Sequence, residues 1–121
     1  MKVCVTATGP SLDSKVDPRF GRAACFVVFD TDARTYEVIE NSQQLQSAQG
    51  AGIQAASTVA RSGAQAVLTG NCGPKAFRVL SESGIAVYVG LDGMTVMEAI
   101  GQLIDGKLQP ITAANVEGHW A

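Results

Sequence analysis

Two short stretches carry residues able to do chemistry. The first is Gly70-Asn71-Cys72-Gly73-Pro74-Lys75, which follows the apolar run Ala66-Val67-Leu68-Thr69. Glycine adopts backbone angles that residues with a Cβ resist, and proline suits the first position of a helix, where its missing N–H costs nothing. The pattern predicts strand, loop and helix start. A helix start presents free N–H groups and the positive end of the helix dipole to an anion. Cys72 adds a soft sulfur ligand at the lip of the loop. The second stretch is Asp17-Pro18-Arg19-Phe20-Gly21-Arg22, where two arginines flank Phe20-Gly21. A guanidinium is a strong anion donor, yet Arg19 and Arg22 would equally serve as solvated charges paired with Asp17. Glycine and proline in a tight strand-to-helix connection are also ordinary turn chemistry, and Phe20 would equally pack against a hairpin.

Other candidates are weaker. Cys4, Cys25 and Cys72 are odd in number and widely spaced, without a C-x-x-C pair, which argues against a disulfide framework and a structural zinc site. Cys4 and Cys25 fall in strand-like runs and read as small core residues. His119, beside Trp120, is the only imidazole; it could bind copper or close over a bound group, and a loose terminus is the plainer reading. Two-metal phosphoryl chemistry needs carboxylates converging from strand ends. The strands offer only Glu37 and Glu40, on an outer strand, which disfavours a nuclease. The glycine-rich loop matches neither the P-loop nor the G-x-G-x-x-G spacing, which leaves a small-anion or nucleotide-binding regulatory module as an alternative of another kind. A thiol redox protein working through Cys72 would need a partner to supply the resolving cysteine.

The elements that must position these residues follow from hydrophobic pattern. Val3 to Thr6 is apolar on both faces, as in a central strand covered on two sides. A long polar loop runs from Ala7 through Asp17. Cys25-Phe26-Val27-Val28-Phe29 and Tyr36-Glu37-Val38-Ile39-Glu40, joined by a short turn, predict an antiparallel hairpin. Polar residues from Asn41 to Gln49 predict a mobile loop, followed by a helix with Ile53, Ala56, Val59 and Ala60 at helical spacing that stops near Ser62-Gly63. Gln65 to Thr69 predicts a strand, Phe77 and Leu80 a short helix ending at Gly84, and Ile85 to Val89 a further strand. Thr95-Val96-Met97-Glu98 is a capping-box pattern that opens a helix ending at Asp105-Gly106. Right-handed crossovers and two covered faces predict an α/β protein with a five-stranded mixed sheet of order 3-2-1-4-5 and helices on both faces. Ligands prefer the carboxyl ends of strands at such a topological switch. There the Ala7-Thr8-Gly9 turn, the Cys72 loop and the Gly90-Leu91-Asp92-Gly93 loop would converge, with Arg19 to Arg22 folded over them.

At 121 residues and 46% hydrophobic content the chain suffices for one core and not comfortably for two. We expect one domain over residues 1–108 and an extended or flexible tail over 109–121. A net charge of −2 and 6% aromatics give neither a basic footprint nor a stacking platform for nucleic acid. Met1 leads straight into a strand-like run, and no apolar run reaches the length of a membrane span, so the expectation is a soluble cytoplasmic protein without a membrane partner.

Taken in series, Phe20-Gly21-Arg22-Ala23, Val38-Ile39-Glu40-Asn41, Gly50-Ala51-Gly52-Ile53, Gly73-Pro74-Lys75-Ala76-Phe77 and Gly93-Met94-Thr95-Val96-Met97-Glu98 resemble the dinitrogenase iron–molybdenum cofactor biosynthesis family. That family includes NifX, the NafY cofactor-binding domain and the C-terminal part of NifB. The match runs from Met1 to about Leu108. The resemblance implies a ribonuclease-H-like fold and a non-catalytic carrier of an anionic metal–sulfur cluster, either a molybdenum–copper sulfide, as in one small single-domain member, or an iron–molybdenum cofactor precursor. It implies contacts from Arg19, Phe20, Gly21, Arg22, Asn71, Cys72, Gly73 and Lys75, with a soft sulfur ligand optional; Cys72 and His119 are the candidate metal ligands among the residues themselves. Cluster-assembly or cluster-receiving proteins would be the partners. Several family members carry histidine in the loop before the first helix, whereas Ser47-Ala48-Gln49-Gly50 has none.

Overall fold

Five strands and three helices account for the structure, a computed structural model that describes residues 1–41 and 50–115. The strands are β1 (Lys2–Ala7), β2 (Cys25–Asp30), β3 (Thr35–Glu40), β4 (Ala66–Leu68) and β5 (Ala86–Tyr88). The helices are α1 (Ala51–Arg61), α2 (Pro74–Glu82) and α3 (Val96–Ile104). The expected loop over 42–49 and the tail residues His119 and Trp120 lie outside the described residues.

The sheet has the order β3-β2-β1-β4-β5, as the crossover rules predict. β1 pairs antiparallel with β2, placing Val3 opposite Phe29 and Val5 opposite Val27, and parallel with β4, placing Val5 opposite Leu68. β4 and β5 run parallel, with Val67 opposite Val87. β1 lies at the centre and is buried from Val3 to Ala7, so successive side chains enter two different cores. On one face Cys4, Phe26, Val28, Val67 and Val87 meet Ala55, Ala56 and Val59 of α1 and Ala76 and Leu80 of α2. On the other, Val3, Val5, Val27, Phe29 and Leu68 meet Val96, Ala99 and Ile100 of α3.

Local signals act where expected. Gly63, at φ 85°, follows α1. Thr95 opens α3 with a full capping box: its hydroxyl accepts the Glu98 N–H at 3.1 Å, and the Glu98 carboxylate accepts the Thr95 N–H at 2.8 Å. The chain beyond α3 is more ordered than its composition suggests. The Ile111 N–H donates to the Val87 carbonyl at 2.8 Å, the Ile111 side chain packs on the α1/α2 core, and the Asn115 N–H donates to the Cys72 carbonyl at 3.2 Å. Residues 109–115, expected as an extended or flexible tail, thus return to the Cys72 loop. No helix among the described residues is long and apolar enough to cross a membrane.

Candidate functional site

Because β1, β4 and β5 are parallel and each helix crosses back antiparallel to them, all three helix N-termini open at one end of the sheet. Only α3 neutralises its own N-terminus, through Glu98. α1 begins at Gly50 and α2 at Gly73; neither has a side-chain cap or an acidic residue in its first turn. The positive ends of α1 and α2 are therefore uncompensated from within their own helices.

The loops converge at this end, held by backbone contacts. The fully buried Thr6 and Thr69 hydroxyls meet at 2.8 Å across the β1–β4 switch. The chain leaving β1 makes an excursion closed by the Ala7–Val16 bridge and returns at Asp17, whose N–H donates to the Thr6 carbonyl at 2.8 Å. This returning limb lies against the Cys72 loop. The Phe20 N–H donates to the Asn71 carbonyl at 3.1 Å, and the Asn71 Nδ2 donates to the Pro18 carbonyl at 3.0 Å. At Gly70 a Cβ would stand 2.6 Å from Pro18 Cα, so the glycine serves close backbone approach. Neither Gly70 nor Gly73 needs the unusual angles the sequence suggested: Gly73 is extended at φ −78°. The Gly90 N–H donates to the Gly70 carbonyl at 2.9 Å, which joins the loop after β5 to the group.

Two buried polar side chains grip the arginine turn, residues 18–24. Asp17 accepts the Arg19 N–H at 3.1 Å with one carboxylate oxygen and the Ala24 N–H at 3.3 Å with the other. Asn41, 1% exposed, donates its Nδ2 to the Gly21 and Ala23 carbonyls, both at 3.0 Å. Its Oδ1 is buried without a partner, an arrangement that costs about 1–3 kcal/mol unless a water serves it. Asn115 secures the neighbouring loop: its Oδ1 accepts the Cys72 N–H at 2.8 Å and its Nδ2 donates to Asn71 Oδ1 at 3.1 Å.

Arg19 is exposed on its loop and Lys75 in the first turn of α2, Arg22 and Asn71 are half-buried, and Gly21 and Gly73 are buried. Two expectations need correction. Phe20 is fully buried, its ring tilted against Phe26 with centroids 5.9 Å apart, so it is part of the α1/α2 core and not a wall of a surface site. Cys72 is not at the lip of its loop. Its side chain is 0% exposed within the same core, and burial pushes the thiol up to about 12, which keeps it protonated at neutral pH. Cys4 is also in this core, and burial raises its thiol well above the ordinary range. Cys25, on the α3 face, is raised by burial and then by the charges of Asp17 and Glu40. Among the described residues, no three His, Cys, Asp or Glu side chains gather to hold a metal ion, and His119 lies outside them.

The profile of the family described as dinitrogenase iron-molybdenum cofactor matches residues 1–106. The chain belongs to the dinitrogenase iron–molybdenum cofactor family. This family member shares 45% identity and a TM-score of 0.93 with the apo form of the orange protein from Desulfovibrio gigas, over 95% of this chain and 96% of that one. It shares 32% identity and a TM-score of 0.82 with a NifB-like protein from Thermotoga, over 97% and 98% of the two chains. In sequence it is 31% identical over 103 residues to an uncharacterized protein of Methanocaldococcus jannaschii, covering 83% of this chain and 86% of that one. The mixed sheet and three helices thus form the fold of the orange protein.

Sequence reasoning found the loops of this family member but missed Asn41 and Asn115. Both lie outside the glycine-rich stretches, and Asn41 reaches the turn from twenty residues away in sequence. The available signals were the place of Asn41 directly after the strand-like run that ends at Glu40 and its position in the family-like stretch Val38-Ile39-Glu40-Asn41.

Proposed function

We propose that this protein is a non-catalytic cytoplasmic carrier whose cargo is an anionic metal–sulfur cluster, of molybdenum–copper sulfide or iron–molybdenum precursor type. The observation that supports the reading is the pair of helix N-termini, α1 and α2, at the same end of the sheet, neither with a side-chain cap or an acidic residue in its first turn, together with the exposed Arg19 and Lys75. A thiometallate is a compact multiple anion that brings its own sulfide ligands. Oriented N–H groups and cationic side chains suffice to hold it, and no protein thiolate is required. Membership of a family described by the iron–molybdenum cofactor supports this cargo class. Arg19, Arg22 and Lys75 would supply charge, and the Asn71-to-Lys75 backbone would supply donors. Cluster-assembly or cluster-receiving proteins would be the partners. A thiol redox role has less support, because Cys72 is buried and protonated.

Titration with tetrathiomolybdate and copper, followed by visible absorption, tests the reading. Lys75→Ala and Arg19→Ala should each weaken uptake at least about tenfold, the scale of one charge-assisted contact. Unchanged uptake in both variants, or equal displacement by millimolar inorganic phosphate, would turn the reading toward a small-anion module.

A further inference from the structure

Arg19 and Arg22 stand in a turn outside the strands and helices, bridged to Asn71 at Arg19, so its geometry depends on groups outside it. Asp17 takes two of its N–H groups, at Arg19 and Ala24, and Asn41 supplies donors to two of its carbonyls, at Gly21 and Ala23. Asn41 comes from the residue after β3 and is 1% exposed. Its orientation is forced. Turned over, the amide would aim its oxygen at two carbonyl oxygens; as it stands, both donated bonds form and the buried Oδ1 is left without a partner. Its own N–H adds a third link, donating to the Ala24 carbonyl at 3.2 Å.

We propose that Asn41 is a positioning residue for cargo binding: it fixes the backbone of the arginine turn and, through it, the placement of Arg22 and, with the Asn71 bridge, of Arg19. This rests on the reading of the two arginines as cargo contacts. Charges on a loose turn must be ordered when the anion binds, whereas charges on a turn already held from below lose less freedom. Asp17 grips the N–H groups of Arg19 and Ala24, and Asn71 holds Pro18 and Phe20; Asn41 grips the stretch from Gly21 to Ala24 that carries Arg22.

A double-mutant cycle with tetrathiomolybdate as the probe tests this. Asn41→Ala leaves net charge unchanged and should weaken binding about tenfold; Arg19→Ala with Arg22→Ala should weaken it at least as much; all three together should add less than about twofold to the arginine pair, because coupled groups are non-additive. A merely structural asparagine would lower stability without this coupling. Hydrogen exchange supplies the second readout: the Arg19 and Ala24 amides should exchange about tenfold faster in Asn41→Ala, with the β1 amides unchanged. Asn41→Ser takes its place if the alanine variant does not fold. Costs that simply add, or full affinity in the Asn41 variant, overturn the positioning role and leave the carrier reading intact. Full affinity in the arginine variant overturns the role together with the assignment of the arginines to the cargo.

Discussion

Between Cys72 and Lys75 the chain passes from core to solvent within three residues, and this decides which atoms of the loop can meet a ligand. The Cys72 thiol lies among Ala76, Leu80 and other core residues, while the backbone that follows opens the N-terminus of α2. Cys72→Ala should therefore leave cluster uptake unchanged and lower stability by about 1 kcal/mol, the usual cost of a small core truncation; chemical denaturation beside a thiomolybdate titration separates the two effects. Selective loss of copper in that variant would return Cys72 to the ligand set. Burial also fixes a pH dependence. The thiol rises from an ordinary value of 9.0 to about 12, so the folded protein holds a proton that the unfolded chain releases above 9. Stability should fall as pH climbs through that window, and the Cys72→Ala profile should be flatter there. Phe20 and Cys72 teach the same lesson about reading residues: loop positions have no period, so nothing in the sequence says which side chain turns inward. The course of the loop into α2 was legible, and the direction of its side chains was not.

At the scale of elements, the readable features were those with local causes. The capping box at Thr95, the proline start of α2 and the glycine after α1 each work over a few residues. Strand ends were less legible, since pairing trims β4 to Ala66–Leu68 where the apolar pattern runs from Gln65 to Thr69. Three predictions belong here. Thr95→Ala should cost about 0.5–2 kcal/mol, the range for losing an N-cap. Glu98 is held below its ordinary range chiefly by the backbone N–H of Thr95 and then by the Thr95 side chain, so its contribution is present above pH 4.5 and is lost as pH falls through the lowered value. Urea melts between pH 3 and 6 should show a shallower acid decline in Glu98→Ala than in the wild type. Gly70→Ala should be more damaging than its small volume suggests. The new Cβ would meet Pro18 backbone at 2.6 Å, and parting the two loops should cost about 1–3 kcal/mol and lower cluster affinity together. Melting and titration of that one variant check both effects; an undisturbed protein would mean that the loops yield easily.

For the whole molecule, the long-range order of the sheet was readable from a few rules. An apolar central strand, a hairpin of short reach and right-handed crossovers leave one order, β3-β2-β1-β4-β5. What no periodicity announces is the set of polar links between distant segments: Asn41 to the arginine turn, Asn71 to Pro18, and Asn115 to the Cys72 loop. They tie the chain after β3, the loop after β4 and the segment beyond α3 to the same end of the sheet, where α1 and α2 begin. On the proposed reading these links would preform the cradle for a multiply charged anion. The most direct measurement is metal analysis by plasma mass spectrometry, with a visible absorption spectrum, on protein purified anaerobically from its native host. A carrier should hold molybdenum with sulfide, accompanied by copper or iron, and show charge-transfer bands. A colourless, metal-free protein that also takes up no cluster when offered thiomolybdate and copper would contradict the carrier function.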